Sequence, residues 1–351
     1  MYNVIYIIFM LQPIILSGGN GTRLFPLSRK DFPKQFVQLF NDKTLLQNTI
    51  DRFNSQKFKS PIILGNIKHK KLLEQYNNKI ILEPVVKNTA PAICAIVELL
   101  KEDSDQVVVF LPSDHHIVEV DKFERYMLEG EKLAKQNKLV IFGINPTEPE
   151  TGYGYIEIGK TMGNAFFVNS FKEKPNIELA KEFVKSHKYL WNAGIFMVKV
   201  GLMREFFKKY QPEIFECIEK AIANTKQEQI TEIADDFNDV MEESIDYAII
   251  EHLEQEDLAV IKMDLTWSDV GSYKSLYDIL DKTDTNILNS KNIVYNSKNN
   301  YVHSDKIVCL CDVDDLVIVE DKNILLVMKK EKSQDIKEMI KEIKEKYKEE
   351  L

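Results

Sequence analysis

Hydrophobic residues in this chain come in short runs, separated by longer stretches in which apolar side chains recur at helical spacing. Such runs are typical of strands whose sheet is covered by helices on both faces. They occupy residues 14–16, 61–64, 80–83, 107–111, 139–144 and 258–263. Helical spacing is found at residues 41–53, 68–77 and 123–136. The alternation of the two patterns predicts an α/β fold.

The C-terminal part of the chain has a different pattern. Residues 202–243 are acidic and helical in spacing, which predicts an exposed cap, and Ser244 is placed to begin another helix. From about residue 284, short apolar runs alternate with Asn and Asp turns and predict a small β-rich domain. Residues 336–343 predict a last amphipathic helix, which either docks on its own domain or joins a second subunit in a homodimer.

These patterns divide the chain into two predicted domains. Residues 1–283 form the larger one, and residues 284–351 form the β-rich domain with its terminal helix. The boundary rests on the Asp, Thr, Asn and Ser residues of 281–292. Residues 1–9 are an atypical extension in front of the first strand.

Composition limits the partners and the location. The net charge of −9 and the pI near 5.4 argue against a nucleic-acid partner, so an anionic substrate must meet a local group of cations. Four cysteines in 351 residues predict a reducing cytoplasm rather than a disulfide framework. The uncharged N-terminus lacks the basic start of a secretory signal and is shorter than the roughly 20 apolar residues of a membrane span.

The stretch LSGGNGTRLFPLSRKDFPKQF, residues 16–36, carries the clearest chemical signal. Glycines at positions 18, 19 and 21 let the backbone approach a ligand and direct N–H groups at it. Arg23 and Lys34 add two cations, so the expected guest is a polyphosphate. A P-loop is excluded because no Lys follows the glycines, and Leu24 occupies the third glycine position of a dinucleotide loop.

Residues 18–27 resemble the signature G-G-x-G-T-R-L-x-P-L of the sugar-phosphate nucleotidyltransferases. The S-R-x-x-x-P-K-Q-F ending, residues 28–36, is similar to that of the mannose-1-phosphate guanylyltransferases in particular. Later segments match the same family in order, so the resemblance covers about residues 12–330. The resemblance implies a Rossmann-like domain with a mixed, mainly parallel sheet and a left-handed β-helix-like tail. It implies transfer of GMP from GTP to α-D-mannose 1-phosphate, with Mg²⁺ as cofactor. We expect no isomerase domain like that of longer members.

The resemblance also implies roles for individual residues. Asp114 and Asp269 would hold Mg²⁺ through oxygen ligands, which that ion prefers, so the neighbouring histidines are expected either to be structural or to support the ligands without touching the ion. Arg23, Lys34 and Lys174 are the predicted catalytic cations, Lys174 acting on the sugar phosphate. The other sugar-binding residues would be Gly154, Glu173 and Asn192. The predicted nucleotide-binding residues are Leu16, Ser17, Gly18, Gly19, Gly21, Thr22, Glu83, Asn88, Thr89, Ala90, Pro112 and Ser113.

Some of these assignments also have a plain chemical or structural meaning. A carboxylate at Glu83 would accept hydrogen bonds from guanine N1–H and N2–H₂. Asn88 and Thr89 precede Pro91, which marks a helix start whatever else they do.

The local pattern does not define the tasks of two adjacent pairs of residues. Glu173 and Lys174 end a predicted strand, whose neighbouring side chains face opposite ways, so the two need not share a target. Asp246 and Tyr247 match the family, but their local pattern gives them no chemical task.

The implied reaction needs no general base, because the second pKa of a phosphate monoester is near 6 and the attacking oxygen is already an anion. Two alternatives stay open: the same chemistry with glucose 1-phosphate and UTP or dTTP, and a catalytically inactive regulatory paralogue. The inactive paralogue predicts loss of the aspartates, Arg23 or Lys34, and all are present.

Overall fold

The computed structural model describes residues 10–19, 21–280, 282 and 285–347, and its chain forms two compact units. Of the described residues, unit 1 contains those up to Gly18 and residues 50–112 and 117–266. Unit 2 contains the described residues of 19–49, 113–116 and those from Trp267 onward. The predicted extension, residues 1–9, and the predicted boundary at 283 and 284 lie outside the described residues.

Strands and helices alternate through unit 1, and strands dominate the C-terminal part of unit 2. The strands are β1 (Gln12–Ser17), β2 (Ile62–Asn66), β3 (Lys79–Glu83), β4 (Val107–Pro112), β5 (His116–Ile117), β6 (Leu139–Ile144), β7 (Tyr155–Met162), β8 (Ala165–Lys172), β9 (Tyr189–Lys199), β10 (Ile230–Glu232), β11 (Leu258–Met263), β12 (Trp267–Ser268), β13 (Ile287–Asn289), β14 (Asn292–Tyr295), β15 (Tyr301–His303), β16 (Val308–Cys311), β17 (Leu316–Asp321) and β18 (Ile324–Lys329). The α-helices are α1 (Leu45–Asp51), α2 (Lys70–Leu73), α3 (Thr89–Leu99), α4 (Val120–Ala134), α5 (Ile177–Ser186), α6 (Val200–Tyr210), α7 (Pro212–Ala223), α8 (Ile245–Ala248), α9 (Tyr273–Ile279) and α10 (Ile336–Lys346).

Unit 1 is built on a ten-stranded sheet in the order β10-β3-β2-β1-β4-β9-β6-β11-β8-β7. Pairings from β10 to β4 are parallel, whereas β9 runs antiparallel to β4 and β6. The predicted mixed sheet is therefore confirmed. The parallel strands β1, β3 and β4 bring their carboxyl ends to one edge of the sheet, where ligands bind in open α/β folds.

Helices cover both faces of this sheet. Ile14, Phe110 and Phe196 pack in one cluster with residues of α3, α6 and α7. On the other face, α4 lies so close to Phe142 that a Cβ at Gly130 would be 2.8 Å from its ring. Side chains alternate along a strand, so continuous apolar runs such as β4 supply both cores.

The exposed cap predicted for residues 202–243 is wrong. Met203 and Phe207 of α6 and Ile218 of α7 are buried in the main core, and β10 extends the sheet beside β3. The acidic residues that suggested a cap occupy only the outer faces of these amphipathic helices.

Two predicted helices are shorter than their patterns suggested. Residues 41–44 form a turn in which Asn41 Oδ1 accepts from Lys43 N at 3.0 Å, so α1 begins at Leu45. The helix predicted for residues 68–77 is replaced in part by a 3₁₀ turn, Ile67–His69, which Asn66 caps. The α-helix α2 therefore begins only at Lys70, and it ends at Leu73. The predicted helix starts at Asn88 and Ser244 are confirmed, since each side chain accepts a backbone N–H of its helix. Among the described residues, no helix is both long and apolar enough to span a bilayer.

Unit 2 joins the glycine-rich stretch to the C-terminal strands. The strands form a four-stranded sheet, β13-β15-β17-β18, and a two-stranded parallel sheet, β14-β16. Leu24 and Phe25 pack in one core with Tyr273, Tyr301 and Ile336. Because Ile336 begins α10, the terminal helix packs within unit 2.

Candidate active site

A cavity of about 290 Å³ in unit 2 is lined by charged residues of the glycine-rich stretch and of two later turns. It is lined by residues 21–23, Lys34, residues 114–115, residues 269–271 and Lys337. Predicted phosphate-binding and metal-binding residues from three distant parts of the sequence therefore share one cavity.

Gly21 fixes the shape of the glycine-rich turn. Its φ of +47° lies in the left-handed region that side chains disfavour, and a Cβ there would be 2.6 Å from Lys34 Cβ. Glycine at this position therefore lets the turn close against Lys34. At Gly19, in contrast, a Cβ would meet nothing within 4 Å among the described residues beyond its chain neighbours, so its backbone is open to an approaching group.

Lys34 connects the two aspartate-bearing turns. Pro33 is extended and leads into a 3₁₀ turn, Lys34–Phe36, which buries Lys34 to 7% exposure. The Lys34 Nζ lies 2.8 Å from Asp114 Oδ2 and donates to the Asp269 carbonyl oxygen at 2.5 Å. A buried ammonium requires such partners, and here they come from both turns.

Asp114 is ionised in this environment. Burial alone raises the pKa of its carboxyl, but the Lys34 ammonium and His115 lower the pKa by more, so it lies below its usual value. In the sequence, Asp114 comes two residues after the end of β4.

Asp269 is held in a tight turn after β12. Its Oδ1 accepts from Gly271 N at 2.9 Å, and a Cβ at Gly271 would lie 2.6 Å from Oδ2. Val270 adopts a φ of +49°, which is strained for a β-branched residue and typical of functional turns. The turn therefore places the Asp269 carboxylate on the same cavity as Asp114.

This donor set fits a hard divalent cation. Two carboxylates facing one cavity are the ligands that Mg²⁺ prefers when phosphate oxygens and water complete its shell. A cation already lies against Asp114 in the form of the Lys34 ammonium. Within the described ranges there is no group of three or more His, Cys, Asp or Glu residues that would hold a metal without such a substrate.

The two histidines after Asp114 have structural contacts. His115 Nδ1 accepts from Trp267 Nε1 at 3.3 Å, and His116 stacks on Phe40 with ring centroids 3.6 Å apart. These contacts agree with the structural role expected for both.

Glu83, the predicted base-binding carboxylate, lies at the end of β3 in unit 1 and is 3% exposed. Burial raises the pKa of this carboxyl to about 8. Its Oε1 has no hydrogen-bond partner in the described part of the chain, and Oε2 would be 3.4 Å from a Cβ at Gly18. A buried acceptor without a partner beside a glycine is suited to a planar donor group of a ligand.

The segment after Glu83 is tied to α8. Asn88 Oδ1 accepts a hydrogen bond from Thr89 N at 2.9 Å, and Thr89 Oγ1 accepts one from Ile245 N at 2.9 Å. Ala90 N donates to the Glu243 carbonyl at 3.0 Å. The two predicted nucleotide-binding side chains therefore have structural roles, and their contact with a base remains a prediction.

The predicted sugar-binding residues cluster elsewhere in unit 1. A Cβ at Gly154 would be 2.5 Å from Glu173 Oε2, and the Gly154 carbonyl accepts from Asn192 N at 2.8 Å. The expectation that Glu173 and Lys174 face opposite ways is wrong: β8 ends at Lys172, Lys174 has a φ of +42°, and the two side chains form an ion pair.

Asp246 belongs to the same cluster, although its sequence pattern gave no indication of this. Asn192 Nδ2 donates to Asp246 Oδ1 at 3.1 Å. Burial and, to a smaller extent, the Glu173 carboxylate raise the pKa of Asp246 to about 7, although Lys174 opposes the rise. The local signal at Asp246 was only a helix start, because its partner is far away in sequence. Tyr247 is 47% exposed.

Comparison with known proteins identifies the family. The model described as "Nucleotidyl transferase" matches residues 12–286, and that described as "MannoseP isomerase/GMP-like beta-helix domain" matches residues 290–343. The chain belongs to the nucleotidyl transferase family. Relatives of this nucleotidyltransferase include the mannose-1-phosphate guanylyltransferase of Escherichia coli K12, 38% identical over 95% of this chain and 73% of that protein.

Further comparisons agree. The mannose-1-phosphate guanylyltransferase RfbM of Salmonella typhimurium is 38% identical over 93% of this chain and 71% of that protein. The crystal structure titled "mannose-1-phosphate geranyltransferase" from Thermus thermophilus has a TM-score of 0.86 at 27% identity and covers 95% of this chain and 99% of its own. The nucleotidyltransferase fold with a C-terminal β-helix-like domain is therefore confirmed.

The other predicted nucleotide-binding residues of this nucleotidyltransferase lie at strand ends. Leu16 and Pro112 are register partners at the carboxyl ends of β1 and β4, and Ser17 ends β1. In unit 2, the Ser113 carbonyl accepts from Thr49 Oγ1 at 3.1 Å.

Proposed function

We propose that this nucleotidyltransferase transfers GMP from GTP to α-D-mannose 1-phosphate, giving GDP-mannose and pyrophosphate, with Mg²⁺ as its cofactor. The observation that carries the proposal is the cavity shared by Arg23, Lys34, Asp114 and Asp269, which combines cations for phosphates with oxygen ligands for a metal. The relatives named mannose-1-phosphate guanylyltransferase support the choice of sugar and base.

The chemical step is a single displacement at the α-phosphorus of GTP. A phosphate oxygen of the sugar attacks, the bond to the β-phosphate oxygen breaks, and pyrophosphate leaves with the electron pair. The attacking oxygen is already anionic at neutral pH, so no side chain has to remove a proton.

The obstacle is repulsion between two polyanions. Two unit charges about 4 Å apart repel by about 4 kcal/mol at an effective dielectric constant of about 20. Arg23 and Lys34 offset this repulsion at the β- and γ-phosphates, and the backbone of the glycine-rich turn donates to phosphate oxygens. When bound to Asp114 and Asp269, Mg²⁺ supplies further neutralisation of the phosphate charge.

The unit 1 residues would select the substrates. In its carboxylate form, Glu83 accepts from guanine N1–H and N2–H₂, which satisfies its otherwise unpartnered oxygen. Glu173, Asn192 and the Gly154 backbone contact the hexose, and Lys174 meets the sugar phosphate. Asp246 orients the Asn192 amide through their 3.1 Å hydrogen bond.

A pyrophosphate-release assay tests this function directly. GTP, ATP, UTP and dTTP are each combined with mannose 1-phosphate and with glucose 1-phosphate, in the presence of Mg²⁺. The proposal expects release from GTP with mannose 1-phosphate to exceed every other pair by at least about 10-fold in kcat/KM. A preference for UTP or dTTP with glucose 1-phosphate would show that GTP and mannose 1-phosphate are not the substrates. Release from none of the pairs would favour an inactive paralogue.

A further inference from the structure

The cavity of unit 2 has one lining residue that the proposed function has not used. Lys337 comes from the first turn of α10, more than sixty residues beyond the Asp269 turn, and lines the same cavity as Arg23 and Lys34. Its position is fixed by apolar contacts, because Ile336 and Ile340 are 1% and 8% exposed and pack with Leu24 and Phe25. The helix that carries Lys337 is thus packed against the residues that follow Arg23.

The cations that line the cavity differ in whether they already pair with protein carboxylates. Lys34 is paired with Asp114 at 2.8 Å and with the Asp269 carbonyl at 2.5 Å. Across the described ranges, neither Arg23 nor Lys337 forms an ion pair, whereas Lys341, one turn along the same helix, is paired with Glu338 at 2.8 Å. Arg23 and Lys337 therefore remain available for an anion.

We infer that Lys337 is a further binding residue for the leaving pyrophosphate, contacting the oxygens of the β- and γ-phosphates together with Arg23. The inference rests on the proposed function. An ammonium is a compact cation with three donors, which suits a phosphate oxygen in a solvent-accessible cavity. The β- and γ-phosphates are the expected guests because Arg23, which lines the same cavity, is assigned to them in the proposed function.

This assignment separates two ligands of the same enzyme. Pyrophosphate contains the β- and γ-phosphates of GTP, whereas GDP-mannose contains only the α-phosphate and the sugar phosphate. Loss of Lys337 should therefore weaken the binding of pyrophosphate and of GTP but leave the binding of GDP-mannose unchanged. A general disturbance of the cavity would weaken all three.

The test measures pyrophosphate and GDP-mannose binding by titration calorimetry with Mg²⁺, and the KM for pyrophosphate in the reverse reaction. The variants are Lys337→Gln, Lys337→Arg, and the matched control Lys341→Gln on the same helix. Lys337→Gln should raise the dissociation constant and KM for pyrophosphate by roughly 10-fold, the usual effect of losing one charged hydrogen bond. Lys337→Arg should restore most of the affinity, and Lys341→Gln should change it by less than about 2-fold.

Three results would overturn the inference: unchanged pyrophosphate affinity in Lys337→Gln, an equal loss for GDP-mannose, or an equal effect of Lys341→Gln. A melting temperature within a few degrees of the unsubstituted protein shows that Lys337→Gln is folded. If the unsubstituted enzyme neither forms nor consumes pyrophosphate, the proposed function fails. Calorimetric binding of pyrophosphate then still tests Lys337 on its own.

Discussion

Two carboxylates, Asp114 and Asp269, reach one cavity because a buried lysine joins the turns that present them. Lys34 pairs with the Asp114 side chain and with the Asp269 backbone, so the ammonium supports the position of both. The sequence indicated each aspartate through its motif. Their partner could not be predicted, since Lys34 lies about 80 residues from Asp114 and 235 from Asp269.

Asp114→Asn and Asp269→Asn should each lower kcat by at least about 100-fold. Amide side chains keep the size of the carboxylates but lose the charge that a divalent cation requires. Asp105→Asn, at an exposed position of unit 1, serves as the control and should keep nearly full activity. Turnover is measured by pyrophosphate release, and near-normal rates in both site variants would rule out this metal site.

Glu83 should make the stability of the free protein depend on pH. Burial raises its folded-state pKa to about 8, above its ordinary value of 4.5, so the folded protein binds the proton more tightly than the unfolded chain. The free energy of unfolding should therefore fall as pH rises from about 5 to 8, by up to about 1.4 kcal/mol per pH unit. Below about pH 4.5 this contribution is complete.

Urea unfolding at several pH values checks this prediction. Glu83→Gln lacks the titrating group. Its urea midpoint of unfolding should therefore rise relative to that of the unsubstituted protein as pH increases. Glu102→Gln, at an exposed position, should run parallel to the unsubstituted protein. Parallel curves for Glu83→Gln as well would show that its carboxyl does not titrate in this range.

At the scale of elements, the glycine-rich turn depends on a backbone that only glycine adopts without strain. Gly21 has a φ of +47° and lies against Lys34, whereas Gly163 has a φ of +60° in open space. Gly163→Ala should cost about 1–2 kcal/mol through backbone strain alone. Gly21→Ala should cost more, because its Cβ would approach Lys34 Cβ to 2.6 Å.

Thermal unfolding compares the two alanine variants, and pyrophosphate release measures their activity. Only Gly21→Ala should lose activity, since its clash displaces the lysine that supports Asp114. Equal stability and equal activity of the two variants would contradict the proposed role of this close approach.

Elements were predicted well where the signal was local. Continuous apolar runs predicted β1, β4 and β11, and side-chain caps predicted the starts of α3 and α8. For α6 and α7 the helical pattern was predicted but their burial was not, because a strongly charged outer face hid the apolar face that packs on the sheet. The prediction also missed the Asn192–Asp246 hydrogen bond, which joins residues 54 positions apart.

At the scale of the whole molecule, the compact units do not follow the order of the sequence. The glycine-rich stretch shares its core with the C-terminal strands and α10, through Leu24, Phe25, Tyr301 and Ile336. Composition placed a boundary near residue 284, and composition carries no information about which distant segments pack together.

A chain that ends at residue 285 should therefore be inactive. It would lack Tyr301, Val317, Val319 and Ile336, which bury the apolar residues around the glycine-rich stretch. Exposure of that core should also lower solubility. The soluble fraction and pyrophosphate release are compared with those of the full chain, and a soluble, active truncated protein would contradict the shared core.

The most direct test of the account is a crystal structure with Mn²⁺ in place of Mg²⁺ and a non-hydrolysable GTP analogue. Anomalous scattering locates the ion without reference to the protein. A peak should lie about 2.1 Å from one carboxylate oxygen of Asp114 and one of Asp269, with analogue phosphates beside Arg23. A metal bound elsewhere, or phosphates outside this cavity, would contradict this prediction.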